Sequence, residues 1–385
     1  MTGWKSARNI LCVRLDAMGD VLMTTPALQA LRHSLPHCRL TLLTSASGAE
    51  AGRLAPSIEE VIVYEAPWMK SAAPRESSSA ADHAMAQQLR NRHFDGAVIF
   101  TVYTQSALPA AFLCLLADIP LRLAHCRENP YRLLTDWVNE LEPDTCIRHE
   151  VRRQLDLVAA IGCTGPDDRL TITIGSHASE QVDRLLSPCV DRKRCWIVIH
   201  PGATALSRRY PLASFASVAG QLARRHACQI VWTGSQAEAG MIDEAQQAMQ
   251  EPSVSLAGRL SVEELASVIA KAPLVISNNT SAVHLASAAG TPVVDLYALT
   301  NPQHTPWRVP NRVLFEDVPC RFCYKSVCPE GHHRCLQGVS PDAVVEAALE
   351  LLNDTRATER VSCIVPQRDN LSASGQFAGS CRRPH

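Results

Sequence analysis

The 385-residue chain lacks an apolar run able to cross a bilayer. Its longest, Leu108 to Pro120, falls short of the roughly 20 residues a spanning helix needs, and Asp118 interrupts it. An excess of charge of either sign is missing too: the formal net charge is −1, which gives no global ground for nucleic-acid binding. A secretory pattern is absent, because the apolar segment after Arg8 is short and broken by Arg14 and Asp16. No G-x-G-x-x-G follows the first strand, which disfavours an NAD-dependent dehydrogenase. The 15 cysteines are many, but an odd number scattered through an α/β pattern does not make a secreted disulfide scaffold. Most are expected to be reduced core thiols. A soluble cytoplasmic protein without a nucleic-acid partner is the expectation.

What is present starts with Asn9-Ile10-Leu11-Cys12-Val13-Arg14-Leu15, an apolar run leading into Asp16-Ala17-Met18-Gly19-Asp20 and a helix from about Asp20 to Ser34. This strand–turn–helix unit opens a Rossmann-like half and sets the Asp20 carboxylate where the strand end meets the helix N-terminus, the edge at which ligands sit in open α/β sheets. Asp20 there is either a helix cap or a functional acid. Further strands are expected at about 39–44, 61–64 and 97–102, with helices near 82–91 and 106–117. Pro67 to Ala80, rich in Ser, Ala and Pro, reads as a surface loop, either a flap over a substrate or an inert insertion.

The same grammar restarts at Arg194–His200. It predicts helices at 212–225, 236–249, 261–271 and 280–289, strands at 228–233, 273–277 and 292–297, and a last helix from Pro341 to Leu352. The connection between the halves is expected within 164–194. The expected division is 1–175 and 190–352, with 353–385 a poorly ordered tail. Two loops of the second half have the make-up of an anion site. His200-Pro201-Gly202-Ala203-Thr204, with Arg208 and Arg209, offers close backbone approach, a hydroxyl and forked positive charge. Asn278-Asn279-Thr280-Ser281, opening a helix that carries His284, offers N-cap side chains and free N–H groups. Together they suggest a diphosphate. Glu238, after Trp232-Thr233-Gly234-Ser235, is placed either to bond ribose hydroxyls or simply to favour a helix dipole.

These segments together resemble the heptosyltransferase family, glycosyltransferase family nine. The resemblance runs over roughly residues 8–352. Its carriers are Arg14–Val21 with Thr25-Pro26-Ala27-Leu28, His200-Pro201-Gly202 with Arg208-Arg209-Tyr210-Pro211, Asn278–Ser281 with His284-Leu285-Ala286, and Gly290-Thr291-Pro292 to Asn301-Pro302. It implies α/β architecture with two Rossmann-like domains facing across a cleft (GT-B), the first on the acceptor side and the second binding a nucleotide-diphospho-sugar. It also implies inverting, metal-independent transfer of a heptose or related sugar, with ADP-heptose as donor and a lipid-linked lipopolysaccharide-core glycan as acceptor. No cofactor is implied, and contact with the inner membrane would be peripheral.

Residue by residue, the resemblance makes Asp20, beside Gly19, the catalytic base and sets Arg208 where the family has a lysine that stabilises the leaving diphosphate. It makes Gly202, Thr204, Arg209, Asn279, Thr280 and Ser281 substrate-binding, Glu238 a ribose-binding acid, and His284 either a residue of the phosphate loop or a structural histidine. Arg14, Arg122, Arg127 and Arg132 are candidates for holding acceptor phosphate or carboxylate groups, and His149 with Arg153 falls on a family pair. Two departures bear on donor identity: Asn279-Thr280-Ser281 stands where the family often has Asp-Thr-Gly or Asp-Ser-Gly, and arginine stands for lysine at 208. Cys320, Cys323, Cys328 and Cys335, with His332 and His333 among them, leave structural zinc, reduced thiols and a disulfide open. A sugar-nucleotide epimerase of the same architecture and a non-catalytic nucleotide-sugar-binding protein are the alternative functions.

Overall fold

The computed structural model describes residues 3–70 and 79–362, with side chains through 354. Runs of Val, Ile, Leu and Ala with no polar alternation make strands buried on both faces, the condition of a parallel sheet covered by helices. The first sheet comprises β1 (Asn9–Arg14), β2 (Arg39–Thr44), β3 (Glu60–Val63), β4 (Gly96–Ile99), β5 (Leu121–Cys126) and β6 (Asp136–Asn139). It is parallel throughout, in the order β3-β2-β1-β4-β5-β6. Around it lie α1 (Met18–Ser34), α2 (Ala46–Leu54), α3 (Ala80–Arg90), α4 (Leu108–Leu116) and α5 (Glu150–Ala159). After α6 (Ser176–Leu186), β7 (Trp196–His200), β8 (Gln229–Trp232), β9 (Val254–Ser255), β10 (Val275–Asn278), β11 (Val293–Leu296) and β12 (Asn311–Leu314) form a second parallel sheet. Its order is β12-β11-β10-β7-β8-β9. The helices of this half are α7 (Leu212–His226), α8 (Ala239–Met249), α9 (Val262–Lys271), α10 (Ser281–Ala289), α11 (Arg334–Gln337) and α12 (Pro341–Ser362).

Both sheets share one topology, in which the chain runs outward from the first strand and then crosses back to its other side. Each therefore has a switch point, between β1 and β4 and between β7 and β10, where loops diverge and leave a crevice at the strand C-termini. The halves meet through α1, which packs on α10. Gly19 allows the contact: a Cβ there would lie 2.7 Å from the His284 ring. Val21, Leu22 and Leu28 of α1 and Val283 and Leu285 of α10 belong to one buried apolar cluster spanning both halves. None of the described helices is long and apolar enough to cross a membrane.

The structure departs from the sequence-based expectation in several places. The first helix begins at Met18, two residues before Asp20, with Ala17 as an N-cap that makes no side-chain bond. Strands β5, β6, β9 and β12 and helices α2, α5, α6 and α11 were not expected; α6 occupies the region assigned to the connection. The last helix continues past Leu352 to Ser362, so the segment beginning at 353 is helical in its first ten residues. Residues 363–385, where the rest of the expected tail falls, and 71–78 of the expected Pro67–Ala80 loop lie outside the described residues.

Candidate functional site

The two anion loops proposed from sequence are the switch-point loops of the second sheet. Asn278, the last residue of β10, ties them together: its Nδ2 donates to the Pro201 carbonyl at 2.7 Å and its Oδ1 accepts from the Tyr210 amide at 2.9 Å. A single 3-10 turn, Leu206–Arg208, then carries Arg208 toward the first half. Opposite stands the first turn of α1 with Asp20. A cavity of about 180 Å³ between the halves is lined by Gly19 and Asp20 on one side and Thr204, Arg208, Asn279, Thr280, Ser281 and His284 on the other. A second cavity, of about 310 Å³, shares Thr204, Thr280 and Ser281 with it and extends along His200, Gly202, Gly234 and Glu238 to Leu260 and Val262. Of Gly19, Gly202, Thr204, Arg209, Glu238, Asn279, Thr280, Ser281 and His284, all but Arg209 line one or both. Arg209 is exposed, and its Nε donates to the Ala203 carbonyl at 2.8 Å, bracing the loop instead of facing a cavity.

The inner cavity is rich in buried polar atoms without hydrogen-bond partners. Among the described residues these include Arg208 Nε, Thr280 Oγ1, His284 Nδ1 and both ring nitrogens of His304. Buried polar groups are normally satisfied, so their convergence in one space makes this cavity the candidate site for a polar ligand. Thr280 is the N-cap of α10 yet makes no capping bond, so its hydroxyl and the helix N-terminus both face the cavity. Burial pushes His284 down to about 3 and His304 to about 4, so both rings are neutral at pH 7.

Asp20 is held from its own half. Arg14, fully buried at the end of β1, reaches it at 3.2 Å, and His304 Nε2 approaches the same oxygen at 3.9 Å from the second half. Burial raises the Asp20 carboxyl above its ordinary value, Glu150 adds to the rise, and Arg14 and Arg208 oppose it. Glu238 closes a capping box: its Oε2 accepts from the Ser235 amide and hydroxyl at 2.8 and 2.9 Å. It also lines the outer cavity against Gly202, so the cap and the cavity wall are one side chain.

Asn279 has a structural reason for not being aspartate. Its Nδ2 donates at 3.0 Å both to Asp295 Oδ2 and to the His304 carbonyl. Asp295 is fully buried and burial lifts it to about 7; a carboxylate at 279 would face it directly. Asp295 and His304 were missed by sequence reasoning. Nothing local in Asn301-Pro302-Gln303-His304 signals that this short turn points back across the cleft.

Several basic candidates serve the fold. Arg14 is spent on Asp16, Asp20 and Glu150. Arg122 donates to the Leu133, Ile119 and Arg132 carbonyls. Arg127 donates to the Glu142 carbonyl. Arg132 is exposed. Arg153 is buried against Glu140. His149 caps α5, bonds the Thr305 carbonyl at 2.9 Å and stacks on Trp307, which joins the halves. Cys320, Cys323, Cys328 and Cys335 are free thiols, partly buried, with Cys320 Sγ 3.6 Å from His332 Nε2. Among the described residues no three His, Cys, Asp or Glu side chains form a group suited to holding a metal. Tyr324, on this cysteine-bearing loop, meets the Tyr103 hydroxyl of the first half at 2.9 Å.

Two parallel Rossmann-like sheets with a polar cleft between their switch points define the GT-B class of glycosyltransferase fold. Residues 83–333 match glycosyltransferase family 9 (heptosyltransferase), and the chain belongs to that family. It is 28% identical over 163 residues to the lipooligosaccharide heptosyltransferase 2 of Campylobacter jejuni, a match covering 41% of this chain and 51% of that protein. The chain thus spans about half the length of the Campylobacter relatives it matches. A family 9 glycosyltransferase from Veillonella parvula has the same fold, with a TM-score of 0.74 at 22% identity, over 90% of this chain and 97% of that one. The E. coli ADP-heptose lipopolysaccharide heptosyltransferase II gives 0.69 at 21% identity, over 90% and 99%.

Proposed function

We propose that the protein transfers a heptose or related sugar from a nucleotide-diphospho-sugar to a lipid-linked lipopolysaccharide-core glycan, with inversion at the anomeric carbon and without a catalytic metal. The observation that carries this reading is the single cavity lined by Asp20 from one half and Arg208, Thr280 and the α10 N-terminus from the other. A carboxylate on one wall and an anion cradle on the opposite wall suit in-line displacement. The acceptor hydroxyl attacks the anomeric carbon, its proton passes to Asp20, and the bond to the diphosphate oxygen breaks. The departing diphosphate takes the electron pair, and Arg208 with the free groups of α10 stabilises the charge that develops there.

The nucleoside would fill the outer cavity, with its ribose toward Glu238 and the diphosphate at the shared edge of Thr204, Thr280 and Ser281. The acceptor would enter from the first half, where a cavity of about 290 Å³ lined by Trp68, Met69, Phe100 and Pro109 opens beside Asp16. ADP-heptose is the first donor to test, because the similar E. coli protein is named for it. A lipid-linked acceptor of this kind would bring the protein into peripheral contact with the cytoplasmic face of the inner membrane.

Calorimetric titration with ADP, UDP, GDP and CMP, with and without EDTA, tests the donor side. Preferential ADP binding that EDTA leaves unchanged is expected. Preference for another diphosphate would move the enzyme to a different sugar pathway, and release of an epimerised or free sugar without an acceptor would turn the reading to an epimerase.

Gly202→Ala tests the outer cavity. Its Cβ would fall 2.1 Å from Glu238 Oε1, a side chain already fixed in its capping box. Nucleotide affinity is expected to drop by about tenfold, roughly 1.4 kcal/mol, with the circular dichroism spectrum unchanged. Wild-type affinity would remove Glu238 from the nucleoside site.

A further inference from the structure

Arg14 is a single buried cation shared by three carboxylates. Its Nε lies 3.0 Å from Asp16 Oδ2, one terminal nitrogen 3.2 Å from Asp20 Oδ1, and the other 2.9 Å from Glu150 Oε1. Glu150 comes from α5, is fully buried, and lines neither cavity of the cleft. Its Oε1 also accepts from Gln154 at 2.6 Å, while its Oε2 has no partner among the described residues. Asp16 is fixed by Gln105 at 2.5 Å. The cluster therefore carries three carboxylates for one guanidinium.

The physical consequence concerns how strongly Arg14 neutralises Asp20. An arginine given wholly to one half-buried carboxylate makes a tight ion pair and a weak proton acceptor. We infer that Glu150 and Asp16 are positioning residues for Asp20: by drawing on the same guanidinium they keep the Asp20 carboxylate a working base. This rests on the reading of Asp20 as the base.

The other groups facing Asp20 do not perform this task. Arg208, from the second half, only adds positive charge. His304, from the Pro302–His304 turn, and His284, from α10, are held neutral by burial. Burial alone would raise Glu150, but Arg14 and then Arg153 outweigh it and bring its carboxyl down to about 2, so it stays charged at working pH. Asp16 is lifted by burial to about 6 with Arg14 opposing the rise, so it is charged at neutral pH and draws on Arg14 there.

The test is the pH dependence of kcat/KM in Glu150→Gln and in Asp16→Asn, each compared with wild type on the same substrates so that substrate titration cancels. Removing either negative charge hands more of Arg14 to Asp20, so the Asp20 titration moves down. The acid limb is expected to shift to lower pH by about 1 unit in each variant. The plateau at neutral pH is expected to fall up to about tenfold as the base weakens. A purely structural role for Glu150 would lower the plateau and leave the limb in place. Asp16 is less enclosed than Glu150, so its variant keeps the test available if Glu150→Gln folds poorly. An unmoved limb in a folded variant would overturn the proposal. Full activity in Asp20→Asn would overturn the base assignment first, and this inference with it.

Discussion

Asp20→Asn is expected to lower the rate of glycosyl transfer by about 100- to 10,000-fold, the range a positioned general base supplies. The substitution keeps the size and planarity of the side chain, so the first turn of α1 and its packing against α10 should persist. Binding of the nucleotide diphosphate should change little, because Thr204, Thr280 and Ser281 lie on the other half. Loss of turnover with retained affinity is the signature of an interaction made in the transition state. The pH profile gives an independent reading. The base acts unprotonated and burial raises the Asp20 carboxyl, so wild-type activity should fall with decreasing pH above the ordinary carboxylate range. Residual activity of the asparagine variant should lack that limb. Steady-state kinetics across pH, with calorimetric titration of ADP, measures both, and unchanged transfer would dismiss the mechanism.

Arg208→Ala is the second large effect, a loss of about 100- to 1,000-fold in kcat. Arg208 lines the inner cavity from the second half, and among the described residues its Nε is buried without a hydrogen-bond partner. A cation held in that state stabilises charge arriving on a ligand more than it stabilises the fold. Arg208→Lys should recover part of the activity, since it restores the charge but not the planar fork. The informative comparison is kcat against ADP affinity. If affinity falls by the same factor as turnover, Arg208 binds the diphosphate equally in ground and transition states. If turnover falls further, it acts on the leaving group as the bond breaks.

The loops of the candidate site were legible in the sequence, while several elements around them were not. His200–Thr204 and Asn278–Ser281 could be found because each follows an apolar strand and combines glycine or N-cap residues with nearby charge, a pattern set within a dozen residues. The short strand β6, with sequence Asp-Trp-Val-Asn, carries no such local signal. It exists because β5 offers an edge to pair with. Helix α6 was hidden in a charged segment read as the connection; its Ala178, Val182 and Leu186 become an apolar stripe only against α9.

The arginines divide along the same line. Arg14 closes strand β1 and Arg208 lies in the turn that follows β7, both near strand ends that face the cleft. Folding spends the first on three carboxylates and leaves the second with a buried Nε that has no partner among the described residues. Glu150 is 130 residues from Asp20 in sequence and acts on it through Arg14 only because α5 packs on α1. His304 reaches Asp20 only because the two halves close on each other.

By itself, the sequence determined the alternation of buried strands and helices, the two Rossmann-like halves and the loops that bear the candidate anion site. Those follow from local periodicity, turn chemistry and strand-end composition, which act over short stretches of chain. Tertiary structure alone decided which charges are spent and which are left for a ligand. Burial and pairing are set by distance in space, and the groups surrounding Asp20 come from both halves of the molecule.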